Sequence, residues 1–236
     1  MSEDLTRSYP VLHPTPERPL QGMSVLVVED SRYASEAIRL LSLHSGARVR
    51  RADSLASAHR HLALYQPTVV IIDDGLPDGS GVDLIAELAN ANPRVPVLIG
   101  MSGDPDIEEA ALQAGADDFL AKPVVSLALF QQVILAFLPD IEGYAKAPRL
   151  LPDEIVEPDQ QALTSDLTHL AQIMQSKDSA TLGYAAQFLG GVARMAHDPA
   201  LEDAARKLAA ARAEGRSLTL DVARVSGMVE DRLQAG

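Results

Sequence analysis

The chain has no cysteine and no tryptophan, and aromatic residues make up only 4% of its 236 positions. Without a thiol it can form neither a disulfide nor a thiolate metal site, which fits a reducing compartment. A core poor in rings must be built from Ala, Leu, Val and Ile, and such cores suit helices and parallel strands. Cations are scarce as well: 20 Lys and Arg face 33 Asp and Glu, for a formal net charge of -13. That balance argues against broad, nonspecific attraction to nucleic acid or to an anionic membrane, both of which are negative. No apolar run approaches the ~20 residues that span a bilayer, and the N-terminus carries no signal-peptide core. The expectation is a cytoplasmic protein with no nucleic-acid and no membrane partner.

What is present is a series of short apolar runs that end in polar groups. Residues 24–28 end in Glu29-Asp30, 68–72 in Asp73, and 95–101 in Ser102, while a shorter run, 117–121, delivers Lys122-Pro123. A further strand is expected at 48–52, and helical patterns cover 33–44, 55–65, 81–91, 105–114 and 126–138. Asp104-Pro105 and Gly115 mark the start and the end of one of these helices, and Val82, Ile85 and Leu88 form the apolar stripe of another. Five β–α units demand a parallel sheet with helices on both faces. Acids, a hydroxyl and an ammonium at the carboxyl edge of such a sheet point to phosphoryl chemistry on Asp73 with a divalent metal. Glu29, Asp30 and Asp73 crowd like charges together, which costs free energy unless a cation bridges them. Mg2+ suits such a site because it takes carboxylates and keeps waters and phosphoryl oxygens, with Asp30 and Asp73 as direct ligands. Singly these residues are bland: a strand-end acid, a solvated lysine, a helix cap. Their joint occurrence at successive strand ends carries the weight.

The acid pair Glu29-Asp30, the pattern Asp73-x-x-Leu76-Pro77-x-x-x-Gly81, Ser102 with Gly103, and the segment Gly115-Ala116-Asp117-Asp118-Phe119-Leu120-Ala121-Lys122-Pro123 stand in a specific order. Residues 22–139 thereby resemble the receiver domain of two-component response regulators, with Leu76 where the family often has Met and Phe119 where it often has Tyr. The resemblance implies an α/β, flavodoxin-like five-stranded parallel sheet of order 2-1-3-4-5. It implies that Asp73 is the phosphoacceptor, charged by a sensor histidine kinase or a histidine phosphotransfer protein. Mg2+ would be held by Asp30, Asp73 and the backbone carbonyl of Gly75, with Glu29 acting through water. Lys122 would pair with the phosphoryl group, Ser102 would follow it by a hydrogen bond, and Phe119 would rotate inward as the switch. A cis Lys122-Pro123 bond is implied too, and Gly75 and Asp104 would flank the attacking water. The face of helix 104–114 is the natural place for a homodimer.

Residues 1–21, with Pro10, Pro14, Pro16 and Pro19, read as a disordered tail, and 140–158, with Pro148, Pro152 and Pro158, as a linker. From 159 to 236 only helical patterns occur, at about 159–175, 179–196, 200–213 and 217–234, which favours an all-α antiparallel four-helix bundle. The stretch Ala185-Ala186-Gln187-Phe188-Leu189-Gly190-Gly191 is similar to the histidine-containing phosphotransfer domain, in which a His is followed three residues later by Lys and then Gly. Gly190 fits, while Ala186 replaces the His and Leu189 the Lys. The similarity implies a bundle without its phosphoacceptor, a binding module for a kinase, another receiver or a second copy of itself. His169 and His197 lack the Lys-Gly pattern and read as surface or packing residues. The expected function is that of a response regulator acting through protein interaction and catalysing only its own phosphorylation and dephosphorylation. The alternative is a constitutive scaffold or inhibitor of a kinase or phosphotransferase, with phosphorylation incidental.

Overall fold

The computed structural model describes residues 14–138, 154–176 and 178–235, so the readings made for 1–13, 139–153, Lys177 and Gly236 lie outside the described residues. Near-continuous Val, Ile and Leu in β1 (Ser24–Val28) and β3 (Val69–Asp73) leave neither strand a polar face, and both are central. The remaining sheet strands are β2 (Arg48–Ala52), β6 (Val97–Ser102) and β7 (Asp118–Ala121), and all pair in parallel in the order β2-β1-β3-β6-β7. β4 (Gly75–Leu76) and β5 (Gly79–Ser80) form a separate two-residue hairpin, so the sheet itself has the expected 2-1-3-4-5 order. Asp73 pairs with Met101 and is the last residue of β3, where the apolar run alone ended the strand at 72.

Strand side chains alternate between two cores. Val25, Val27, Ile71 and Ile99 pack with Ile38 and Leu41 of α1 (Arg32–His44) and with Phe130 and Ile134 of α5 (Leu127–Phe137). Leu26, Val28, Val70 and Leu98 pack with Leu84 and Ile85 of α3 (Gly81–Ala89), Ala58 of α2 (Leu55–Leu62) and Ala111 of α4 (Asp106–Ala114). Truncating Phe130 to Ala, at 0% exposure, would cost about 3–5 kcal/mol.

The described part of the tail is anchored at Leu20, which corrects the reading of 1–21 as disordered throughout. Leu20 is fully buried in the first core, and its N–H donates to Ser45 O at 2.8 Å. Gly46 makes room for this segment: at φ +87 it adopts a conformation L residues avoid, and a Cβ there would lie 2.8 Å from Arg18 Cβ. The end of the linker is packed as well. Leu127 N–H donates to Glu154 O, Val156 N–H to Val125 O, and Val156 is buried in the receiver-side core.

The C-terminal part consists of α6 (Gln160–Ile173), α7 (Ser179–Met195), α8 (Pro199–Ala213) and α9 (Thr219–Ala235). Asp159, Asp178 and Asp198 each cap a helix through the side chain, and Pro199 begins α8 where its missing N–H is not needed. Successive helices pack on one another and α6 closes on α9. The shared core is built on Leu167, Leu170, Leu182, Phe188, Leu189, Leu208 and Val225, with Ala185, Ala193, Ala204 and Ala205 letting α7 and α8 approach closely. The Arg232 guanidinium pairs with Asp198 at 2.5 Å and ties α9 to the α7–α8 turn.

Candidate active site

Four strand ends converge. β1 hands over Glu29 and Asp30, β3 ends in Asp73, β6 in Ser102, and β7 leads into Lys122. Lys122 Nζ lies 2.7 Å from Asp73 Oδ1 and 2.6 Å from Glu29 Oε2. Glu29, Asp73, Ser102 and Lys122 are all buried. Burial raises the Glu29 carboxyl to about 7 against the pull of Lys122, and burial plus the Glu29 charge raises Asp73 to about 7. Asp30 rises to about 6, chiefly by burial and despite a hydrogen bond from Tyr184. Burial disfavours the Lys122 cation, but the charges of Asp73 and then Glu29 outweigh it and its pKa is raised. One ammonium thus faces three acids. Oxygen atoms of Glu29, Asp30 and Asp73 lie within 4.8 Å of one another, an all-oxygen, electron-rich set that fits a hard divalent cation such as Mg2+.

Local chemistry holds this cluster still. Gly75 N–H donates to Asp73 Oδ2 at 3.1 Å, and Ser31 N–H donates to Glu29 Oε1 at 3.0 Å. Ser80 Oγ donates to Asp74 Oδ1 at 2.7 Å, and Asp78 accepts the N–H groups of Leu55 and Ala56 at the start of α2. Any side chain at Gly81 would strike the Asp73 carbonyl, so glycine there allows α3 to start directly against the end of β3. The Lys122–Pro123 bond is cis, as the resemblance implied; Asn92–Pro93 is cis too.

Ser102 Oγ accepts from Asp104 N–H at 3.1 Å. Phe119 is already packed inward at 9% exposure, with Ala111 and Ile85 over the bare Cα of Gly100. The inward position that the resemblance linked to signalling is therefore occupied while Ser102 engages its own loop.

The arrangement sequence reasoning missed is that α7 lies across this site. Tyr184 Oη donates to Asp30 Oδ2 at 2.6 Å, over the end of β1. A Cβ at Gly75 would lie 3.0 Å from Gln187 Nε2, over the end of β3. The Arg194 guanidinium fills the space beside Gly103, after β6, that any side chain there would need. The three positions recur at helical spacing on one face of α7. Between this face and the strand ends lies a cavity of about 460 Å³, lined by Asp73, Ser102, Gln187 and Gly190 among others. Asp166 of α6 locks the docking: its carboxylate, buried at 3% exposure, accepts Ser31 Oγ and the N–H groups of Arg32 and Tyr33 at 2.7, 2.8 and 2.9 Å. Tyr33, Ala34 and Ala37 of α1 bury apolar surface against Met195.

Ala186 is buried at the cavity wall and Leu189 is fully buried in the bundle core, so Gln187, not Ala186, is the side chain that reaches the receiver, with Gly191 four residues on. His169 is exposed with its ring edge-on to Phe188, and His197 sits exposed in the turn after α7 at φ 53; neither lines the cavity. The polar stripe Tyr184, Gln187, Arg194 on a helix otherwise rich in Ala and Gly was the available signal.

Residues 25–134 match the family described as the response regulator receiver domain. The chain is similar to the KDP operon transcriptional regulatory protein KdpE of Escherichia coli (37% identity over 101 residues, 42% of this chain and 44% of that protein). It is similar also to the virulence transcriptional regulatory protein PhoP of Salmonella typhimurium (35% over 103 residues, 43% and 46%). It thus spans less than half the length of these curated relatives. The chain is similar also to a solved structure described as the receiver domain of sensor histidine kinase PA1611 from Pseudomonas aeruginosa with a magnesium ion coordinated in the active-site cleft. That match has 26% identity, a TM-score of 0.44, and covers 49% of this chain and 96% of that one. No helix among the described residues is long and apolar enough to cross a membrane.

Proposed function

Residues 25–134 are a response regulator receiver domain, and on that premise we propose that Asp73 accepts a phosphoryl group from the phosphohistidine of a sensor histidine kinase or a histidine phosphotransfer protein. The Asp73 carboxylate attacks phosphorus, the P–N bond breaks, and the leaving imidazole keeps the bonding pair. Asp30, Asp73 and the Gly75 carbonyl, with Glu29 acting through water, would hold Mg2+, which would supply positive charge to offset that of the transferring group. Lys122 already pairs with Asp73 at 2.7 Å, and this contact is the observation that carries the reading. It moves to the phosphoryl oxygens once they arrive, Ser102 turns from the Asp104 N–H to follow them, and Phe119 holds its inward place. Output runs through protein contacts of a phosphotransfer-like bundle that cannot itself carry phosphate, in the cytoplasm and without DNA. The acidic balance of -13 supports the absence of DNA binding. The face of α4 is the candidate homodimer surface.

The scaffold reading has one observation in its favour, the bundle docked over Asp73. Intact mass after incubation with acetyl phosphate and Mg2+, with light scattering on the same samples, separates the two. A gain of one phosphoryl group in wild type and none in Asp73→Asn is expected. Equal partner affinity with and without phosphodonor would favour the scaffold.

A further inference from the structure

We propose that Gln187 of α7 speeds hydrolysis of the phosphoryl group on Asp73 within the same chain, so that the bundle is a built-in phosphatase for its own receiver. The inference rests on the reading of Asp73 as phosphoacceptor. A phosphoryl group on Asp73 projects into the cavity that α7 roofs, and water attacking phosphorus opposite the Asp73 oxygen must come from that cavity. Its helical wall includes the small residues Ala186, Gly190 and Gly191, which leave room for water. Gln187, from the middle of that stretch, is the neutral polar side chain α7 sends in. The point a Cβ of Gly75 would occupy lies 3.0 Å from Gln187 Nε2 and 3.4 Å from Asp73 Oδ2. The amide therefore borders the space a side chain at position 75 would take, and the carboxylate that carries the phosphoryl group borders that same space. It makes no hydrogen bond to any described residue.

A free primary amide offers an acceptor and two donors. Oε1 accepts from the attacking water while Nε2 donates to a phosphoryl oxygen, which fixes the water in line; glutamine orients water in this way in other phosphoryl hydrolyses. As the water oxygen bonds to phosphorus, the bond from phosphorus to the Asp73 oxygen breaks and its electron pair returns to the carboxylate. The water proton leaves on inorganic phosphate, so the amide needs no basicity. Neutrality matters: histidine here would accept the phosphoryl group and a carboxylate would repel it. Tyr184 on Asp30 and Asp166 on the start of α1 hold α7 in the register this requires.

The test uses the full chain. Wild type, Gln187→Ala and Gln187→Glu are phosphorylated with acetyl phosphate and Mg2+, the donor is removed, and loss of the phosphoryl group is followed by intact mass at protein concentrations spanning tenfold. Mg2+ affinity of each unphosphorylated protein is measured by calorimetry. Loss about tenfold slower in both variants, at a concentration-independent rate and with Mg2+ affinity within about twofold of wild type, is expected. Loss at the wild-type rate or faster, a concentration-dependent wild-type rate, or Mg2+ affinity falling in parallel would overturn the role of Gln187 and leave Asp73 as acceptor. No phosphoryl gain in any of the three proteins overturns both readings.

Discussion

The receiver's strand ends and the α7 face above them bound the same cavity with opposite chemistry. Below are buried charges, three acids around one ammonium, each fixed by the end of a parallel strand. Above are small residues interrupted by Tyr184, Gln187 and Arg194, whose positions depend on one helix docking correctly. The strand-end site is held by the fold that creates it, whereas the roof is held by contacts that can be removed singly. The lower site should therefore fail by losing stability, and the upper one by letting go.

The largest effect is expected from Lys122→Met. Removing the ammonium leaves Glu29 and Asp73 facing each other with no buried cation, and breaking a buried pair in this way costs about 3–5 kcal/mol. Urea unfolding without metal should show that loss, and Mg2+ should restore part of it. An unchanged midpoint would mean that the acids already share a proton and that Lys122 is not their counter-ion.

Asp166→Ala strikes the roof instead. It removes the acceptor for three donors at the start of α1, worth about 1–3 kcal/mol because those donors lie at a buried junction. Hydrogen exchange should quicken in α6 and α7 while the β1 and β3 amides keep their protection. Uniform loss of protection would show that receiver and bundle unfold as one unit and would erase the contrast drawn here.

The lower half of this contrast was legible in the sequence because each strand announced itself as a short apolar run and its polar terminus followed. Glu29, Asp30, Asp73, Ser102 and Lys122 all lie where that reasoning put them. The upper half was not. Gly75 and Gly103 admit Gln187 and Arg194 by having no side chain, and a glycine in a loop signals a turn as readily as an approaching partner. Asp166 reads as an ordinary polar helix residue, since its three partners lie more than 130 positions away in the chain. The phosphotransfer likeness drew attention to Ala186 and Leu189, which are buried, and passed over Gln187, whose amide lies beside Gly75. Leu20 escaped notice because one apolar residue among prolines has no periodicity to reveal it.

The pH dependence of metal binding sharpens the description of the lower site. Folding raises Glu29 from 4.5 to about 7, Asp73 from 3.8 to about 7 and Asp30 from 3.8 to about 6. Between about 4 and 7 the folded chain therefore binds more protons than the unfolded one, and these groups subtract stability as pH rises through that window. Mg2+ must displace the same protons, so its affinity should climb from pH 5.5 to 8, with proton release measured by calorimetry in two buffers of different ionisation enthalpy. A flat affinity across that range would mean that the carboxylates are already ionised at pH 5.5.

The smallest expected effect is the one that tests where the two halves touch. Tyr184→Phe deletes a single hydroxyl and its 2.6 Å bond to Asp30, and leaves the ring packed beside Phe188. A single side-chain hydrogen bond at a half-buried site is worth about 1 kcal/mol net, so global stability should fall by roughly that amount. The informative readout is exchange in α7: if Tyr184 is one anchor among several, protection drops near residue 184 and persists toward Arg194, whereas release of the whole helix would make this hydroxyl the latch of the roof.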